Sequence, residues 1–115
     1  VTGLLLLMTA ALALHLAEEV RTGFRRQFPL GEIPLPVFVG VNVGVYSFAS
    51  AVVALSLIGH PAHVPMAWLF AVAVGLNGAA HLGAMAIRRA YFPGGVTAVL
   101  LVAAAGLVIS KLLRL

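Results

Sequence analysis

Long apolar runs alternate with short polar segments along the chain, and this pattern predicts its elements. Four runs, at about residues 2–23, 36–59, 64–86 and 93–111, reach the roughly 20 mostly apolar residues that a helix needs to cross a bilayer. Within them the apolar positions are continuous, as at residues 4–7 and 99–105. Barrel strands would alternate apolar and polar residues instead. The first run has no basic start and exceeds the 7–15 residues of a signal-peptide core, so it is expected to be a mature helix. The segments between the runs carry arginines, histidines and prolines. The prediction is an all-α chain: one domain over residues 1–115, built as a bundle of four transmembrane helices.

Composition narrows the class further. Of the 115 residues, 63% are hydrophobic and 9% charged, where a soluble domain carries about 25% charge. High hydrophobicity excludes a disordered chain. The lack of cysteine excludes a disulfide scaffold. Four spans use about 80 positions, which leaves no room for a soluble domain. There is no internal repeat and no phosphate-binding glycine loop.

The seven basic residues mark helix ends. Arg21, Arg25 and Arg26 follow the first span and Arg88 and Arg89 the third, whereas the segment with His60 and His63 has no Lys or Arg. The positive-inside rule places connections one and three in the cytoplasm, so an inner (plasma) membrane location is expected. Lys111 and Arg114 pull mildly the other way. Basic residues spread over separate helix ends do not suit a nucleic-acid partner. Phe24 and Phe28 alternate with arginines, as in a segment lying among headgroups.

Polar side chains inside the spans are scarce and grouped. His15, Glu18 and Glu19 stand at i, i+3 and i+4, on one face of the first helix. Carboxylates inside a membrane helix are costly and usually mark a function. Pairing of Glu18 with Arg21 at the interface is the simpler alternative. In the third span Asn77 and His81 form another i,i+4 pair, with Arg88 continuing their face. Gly75, Ala79 and Gly83 lie opposite and predict a close packing surface. Asn42 and Tyr46 in the second span, and Thr97 in the fourth, fall at the same depth. Four helices thus bring polar groups into one cytoplasmic-side layer, which describes a site better than scattered hydrogen bonds do. Trp68 and Tyr91 read as interface anchors. His60 and His63 are weak metal candidates, since Pro61 and Pro65 break the local helix. Pro93 is expected in the first turn of the fourth helix, with the following glycines allowing close backbone approach.

The segment His15-Leu16-Ala17-Glu18-Glu19, followed by Asn77 and His81 and by Tyr91-Phe92-Pro93-Gly94-Gly95-Val96-Thr97, resembles the HXXEE family of membrane proteins. The resemblance covers about residues 14–24 and 76–100. It implies where a site lies without implying a reaction.

Three functions fit this layer. His15, Glu19 and His81 form an N/O ligand set suited to a divalent transition metal such as Zn or Fe. Glu18 or Glu19 then serves as general base and Asn77 polarises a substrate oxygen, with Asn42, Tyr46, Arg88 and Thr97 in support. This describes a metal-dependent membrane hydrolase or related enzyme acting on a lipid-like molecule. Alternatively, four short helices with a glutamate in the first resemble small multidrug-resistance transporters, in which the glutamate exchanges a proton for a lipophilic cation and the protein works as a homo-oligomer. In the third reading the polar layer is a structural clasp and the protein an assembly partner. No Ser–His–Asp or Cys–His set is present, since Asp and Cys are absent; a serine site with glutamate replacing aspartate stays formally open, but no serine shares a motif with a histidine.

Overall fold

A computed structural model describes residues 1–115. It contains four α-helices and no strand: α1 (Thr2–Thr22), α2 (Leu35–Leu57), α3 (His63–Arg88) and α4 (Gly95–Leu112). All four are long and apolar enough to cross a membrane, as expected of an integral membrane protein. The longest dimension of the molecule is 41 Å, close to the roughly 40–45 Å of a bilayer with its headgroups.

Each helix ends where its sequence dictates. Gly23 adopts a left-handed conformation (φ 75°) and closes α1, its N–H bonding the carbonyl of Glu19. A single 3₁₀ turn, Phe24–Arg26, follows. Pro34 caps α2, and Pro36 fits its first turn, where no amide bond is lost. Pro65 likewise sits in the first turn of α3 and does not break it, so that helix begins earlier than expected, at His63. His60 and His63 are absorbed by this turn: the His60 ring accepts from the Ala62 amide and His63 bonds the His60 carbonyl. Arg88 occupies the last turn of α3, where its charge suits the helix dipole. α4 starts two residues after Pro93, at Gly95, with left-handed Gly94 (φ 88°) as its cap.

The helices form a ring in the order α1, α4, α3, α2. The tightest seam joins α3 and α4. There the small residues are Gly75 and Gly78. A β-carbon on Gly78 would lie 2.9 Å from the Ala98 carbonyl oxygen and one on Gly75 would touch Ala105. The expected stripe is therefore rotated. Ala79 is exposed and Gly83 has open space beside it, whereas His81 shares the packing face with Val74 and Gly78. His81 thus lies on the packing side of α3, while Asn77 borders Val41 and Val45 of α2. Leu5, Met8, Phe70, Leu101 and Val108 anchor the core along the other half of the bundle. α2 is the loosest member, with only Ala49 and Val52 buried.

Candidate metal centre

At the end of α1 nearest its Gly23 cap, the side chains of His15 and Glu19 turn inward to meet His81 from α3. All three are buried, at 2%, 7% and 4% exposure. Glu19 Oε1 lies 2.7 Å from His15 Nε2 and 3.3 Å from His81 Nε2. The two imidazoles stand edge to face, 4.5 Å between ring centres. One donor atom from each residue falls within 4.8 Å of the others, so the trio could hold a metal ion.

Hydrogen bonding on the far side of each ring decides which nitrogens are free. His81 Nδ1 lies 2.7 Å from the Pro93 carbonyl oxygen, which can only accept. The proton of neutral His81 is therefore on Nδ1, and Nε2 is a lone pair. His15 Nδ1 lies 2.8 Å from Thr97 Oγ1. That hydroxyl lies 2.7 Å from Glu18 Oε1. An ionised carboxylate only accepts, so Thr97 donates to Glu18 and accepts from His15 Nδ1–H. His15 Nε2 is then a lone pair too, and despite its nearness to Glu19 it has no aligned hydrogen-bond partner. Two imidazole lone pairs and a carboxylate oxygen converge in a buried space. Such a convergence is unfavourable unless a metal ion, or a further proton on one ring, lies between them.

The distances test that idea. Ligands about 2.05 Å from a tetrahedral zinc stand about 3.3 Å apart, and the His81–Glu19 separation is 3.3 Å. The His15–Glu19 separation of 2.7 Å is tighter than that spacing. Metal-binding histidines almost always donate their other N–H to a carbonyl or carboxylate. Here one donates to a carbonyl and the other reaches a carboxylate through a hydroxyl. The donor set and its outer bonds fit a divalent metal.

Glu18 does not join the trio. Its Oε1 accepts from the Thr97 amide and hydroxyl, each at 2.7 Å, and its Oε2 from the Val96 amide at 3.1 Å and from the Tyr91 hydroxyl. Both oxygens are therefore fully engaged at the start of α4, where unpaired amides and the helix dipole favour an anion. Through the Thr97 hydroxyl, Glu18 is linked to the His15 ring. Arg21, the partner in the simpler alternative, makes no ion pair with it. Burial first, and then donation to Glu18, push the Tyr91 phenol above its ordinary range, so it remains a donor. Tyr91 is thus more than an interface anchor.

Gly94 explains how α4 approaches so closely. A β-carbon there would sit 2.6 Å from the His81 ring and 2.7 Å from the His15 ring, on a backbone that side chains already disfavour. Phe24 and Phe92 cover His81, with ring centres 5.0 and 5.6 Å away. In the sequence Phe24 reads only as an aromatic among arginines and Phe92 only as part of the segment that precedes the fourth helix. Arg88 reaches the site only indirectly, its guanidinium lying 4.8 Å over the Phe92 ring.

A cavity of about 400 Å³ opens beside the trio, and His15, Glu19, Asn42 and Asn77 supply its polar lining. Its other walls are apolar, from Leu12 and Leu16 of α1 to Val41 and Val45 of α2. Asn42 spends its amide N–H on the Phe38 carbonyl. Asn77 borders both this cavity and an adjoining apolar groove. Tyr46 packs against the core, with its hydroxyl buried and unpartnered.

The family model described as a protein of unknown function with HXXEE motif matches residues 6–109. The chain belongs to the HXXEE family. The match extends well beyond the motif segments, through all four helices. In this HXXEE protein the letters of the motif divide their work: His15 and the second glutamate meet at the centre, and the first glutamate caps α4. No curated protein and no solved structure matches the chain.

Proposed function

We propose that this protein is a metal-dependent membrane hydrolase, or a related lipid-modifying enzyme, whose centre is His15, Glu19 and His81 and whose substrate is lipid-like. The observation that carries this reading is the pair of imidazoles whose Nδ1 protons are committed elsewhere, leaving both Nε2 lone pairs facing one carboxylate oxygen. A divalent ion such as Zn or Fe held there supplies Lewis acidity to a substrate oxygen or a water. The chain's own groups do the rest. Thr97 and Glu18 orient His15, and Pro93 orients His81. Phe24 and Phe92 keep bulk water from the rings. Asn77, whose amide makes no bond to the protein, is placed to bind a substrate oxygen in the cavity. The apolar walls favour an acyl or alkyl chain, which would enter from the leaflet on the arginine-bearing side, the cytoplasmic one by the positive-inside rule.

Transport by proton exchange at a glutamate is less well supported. Glu18 has no free oxygen, and Oε1 of Glu19 faces two imidazoles, a ligand arrangement that proton exchange does not require. A purely structural clasp, with a second proton on His15 toward Glu19 2.7 Å away, gives no role to the polar-lined cavity beside the pair.

Metal analysis of detergent-purified protein tests the proposal. Near-stoichiometric metal is expected in the wild type, with at least a tenfold loss of affinity in folded His15→Ala and His81→Ala. A folded, metal-replete wild type that retains no ion would rule the metal centre out.

A further inference from the structure

The cavity beside Glu19 lies between two unlike compartments. On one side it runs into an apolar groove of about 400 Å³ between α2 and α3, with Leu12, Val41, Val45 and Asn77 bordering both spaces. On the other side it meets a polar bowl of about 530 Å³ beyond the end of α1, with Glu19 and Phe38 shared. Arg21, Arg25 and Arg26 line the bowl with Thr22 and Gln27. Arg25 is held in place, donating to Glu32 Oε1 at 3.0 Å and to the Ile33 carbonyl at 3.2 Å. Arg21 and Arg26 pair with no carboxylate.

Glu19 therefore marks the boundary between a cationic compartment and an apolar one. We infer that the site takes an amphiphile with one alkyl or acyl chain and a phosphate-type head. The chain lies in the α2/α3 groove, the head against Arg21 and Arg26, and the head–chain junction beside Glu19. Guanidinium groups match phosphate oxygens with paired, charge-assisted bonds. Two unpaired guanidiniums balance a dianionic phosphate, whereas a carboxylate needs only one. This inference rests on the lipid-like substrate proposed above and adds the charge and placement of its head.

Binding in a neutral detergent tests it, with dodecyl phosphate, dodecanol and inorganic phosphate as probes. Wild-type protein should bind dodecyl phosphate at least about tenfold more tightly than either of the others. The Arg21→Gln/Arg26→Gln double variant should lose that preference while binding dodecanol unchanged. Arg89→Gln/Arg114→Gln removes the same charge elsewhere and should keep it. Equal binding of phosphate and alcohol overturns the inference, as does a preference that survives in the Arg21/Arg26 variant or is lost equally in the control. Inorganic phosphate bound as tightly as dodecyl phosphate overturns the role of the chain. Metal content of the same preparations separates the two readings. Selective alkyl phosphate binding without metal would remove the metal centre alone, and metal without selectivity would remove this inference alone.

Discussion

Thr97 is the residue on which the centre turns, because its one hydroxyl serves two partners. It accepts from His15 and donates to Glu18, which fixes the His15 tautomer. Thr97→Val keeps the shape and removes both bonds. A loss of about 10–100-fold in metal affinity is expected, as for other outer bonds to ligating histidines. Thr97→Ser should retain near wild-type affinity. Titration with a competing chelator measures both, and equal losses in the two variants would show that the hydroxyl is not the cause. The His15–Glu19 pair was legible from the sequence, because i,i+4 spacing places two side chains together whatever surrounds the helix. The role of Glu18 was not. It stands about 100° around the helix from Glu19, and spacing alone does not say that α4 approaches on that side. Thr97 was legible only as a polar group at the right depth. Its bond to His15 spans 82 positions and depends on the approach that Gly94 permits.

At the scale of elements, the decisive contact joins the end of α1 to the start of α4. α4 has no capping side chain of its own, and Glu18 takes that role across the bundle. Glu18→Gln keeps the size but removes the charge that suits the helix dipole. A loss of about 1–2 kcal/mol is expected at the first turn of α4. Amide exchange at Val96 and Thr97 should quicken about tenfold, while mid-helix amides such as Ala104 stay protected. Uniform quickening along α4 would instead show that the whole helix had loosened. The helices themselves were legible because continuous apolar runs of that length have few other uses. Their ends shifted where prolines sit: Pro65 and Pro36 lie inside first turns, whereas Pro93 lies outside α4 with its carbonyl committed to His81. The packing face of α3 escaped the sequence because both Gly75-Ala79-Gly83 and Gly75-Gly78 are small-residue patterns, and only the partner helix chooses between them.

In the whole molecule, three helices are knit together and the fourth leans on them. α1, α3 and α4 share the buried centre and most of the core, while α2 buries only Ala49 and Val52. α2 also walls the cavity and the apolar groove, so its position sets access to the centre. Spin labels on the exposed ends of α2 and α4 should give a broader distance distribution than labels on α3 and α4. Dodecyl phosphate should narrow it. A narrow distribution without ligand would show that α2 is as fixed as the rest. The ring of helices has one more consequence, for the order in which a ribosome releases the chain. His15 and Glu19 enter the membrane with the first helix, but His81, the Pro93 carbonyl and Thr97 arrive only with the third and fourth. A nascent chain holding α1 and α2 has one imidazole, a carboxylate and nothing to orient them. Capture of an ion at the proposed centre therefore waits until α4 has followed α3 into the bundle.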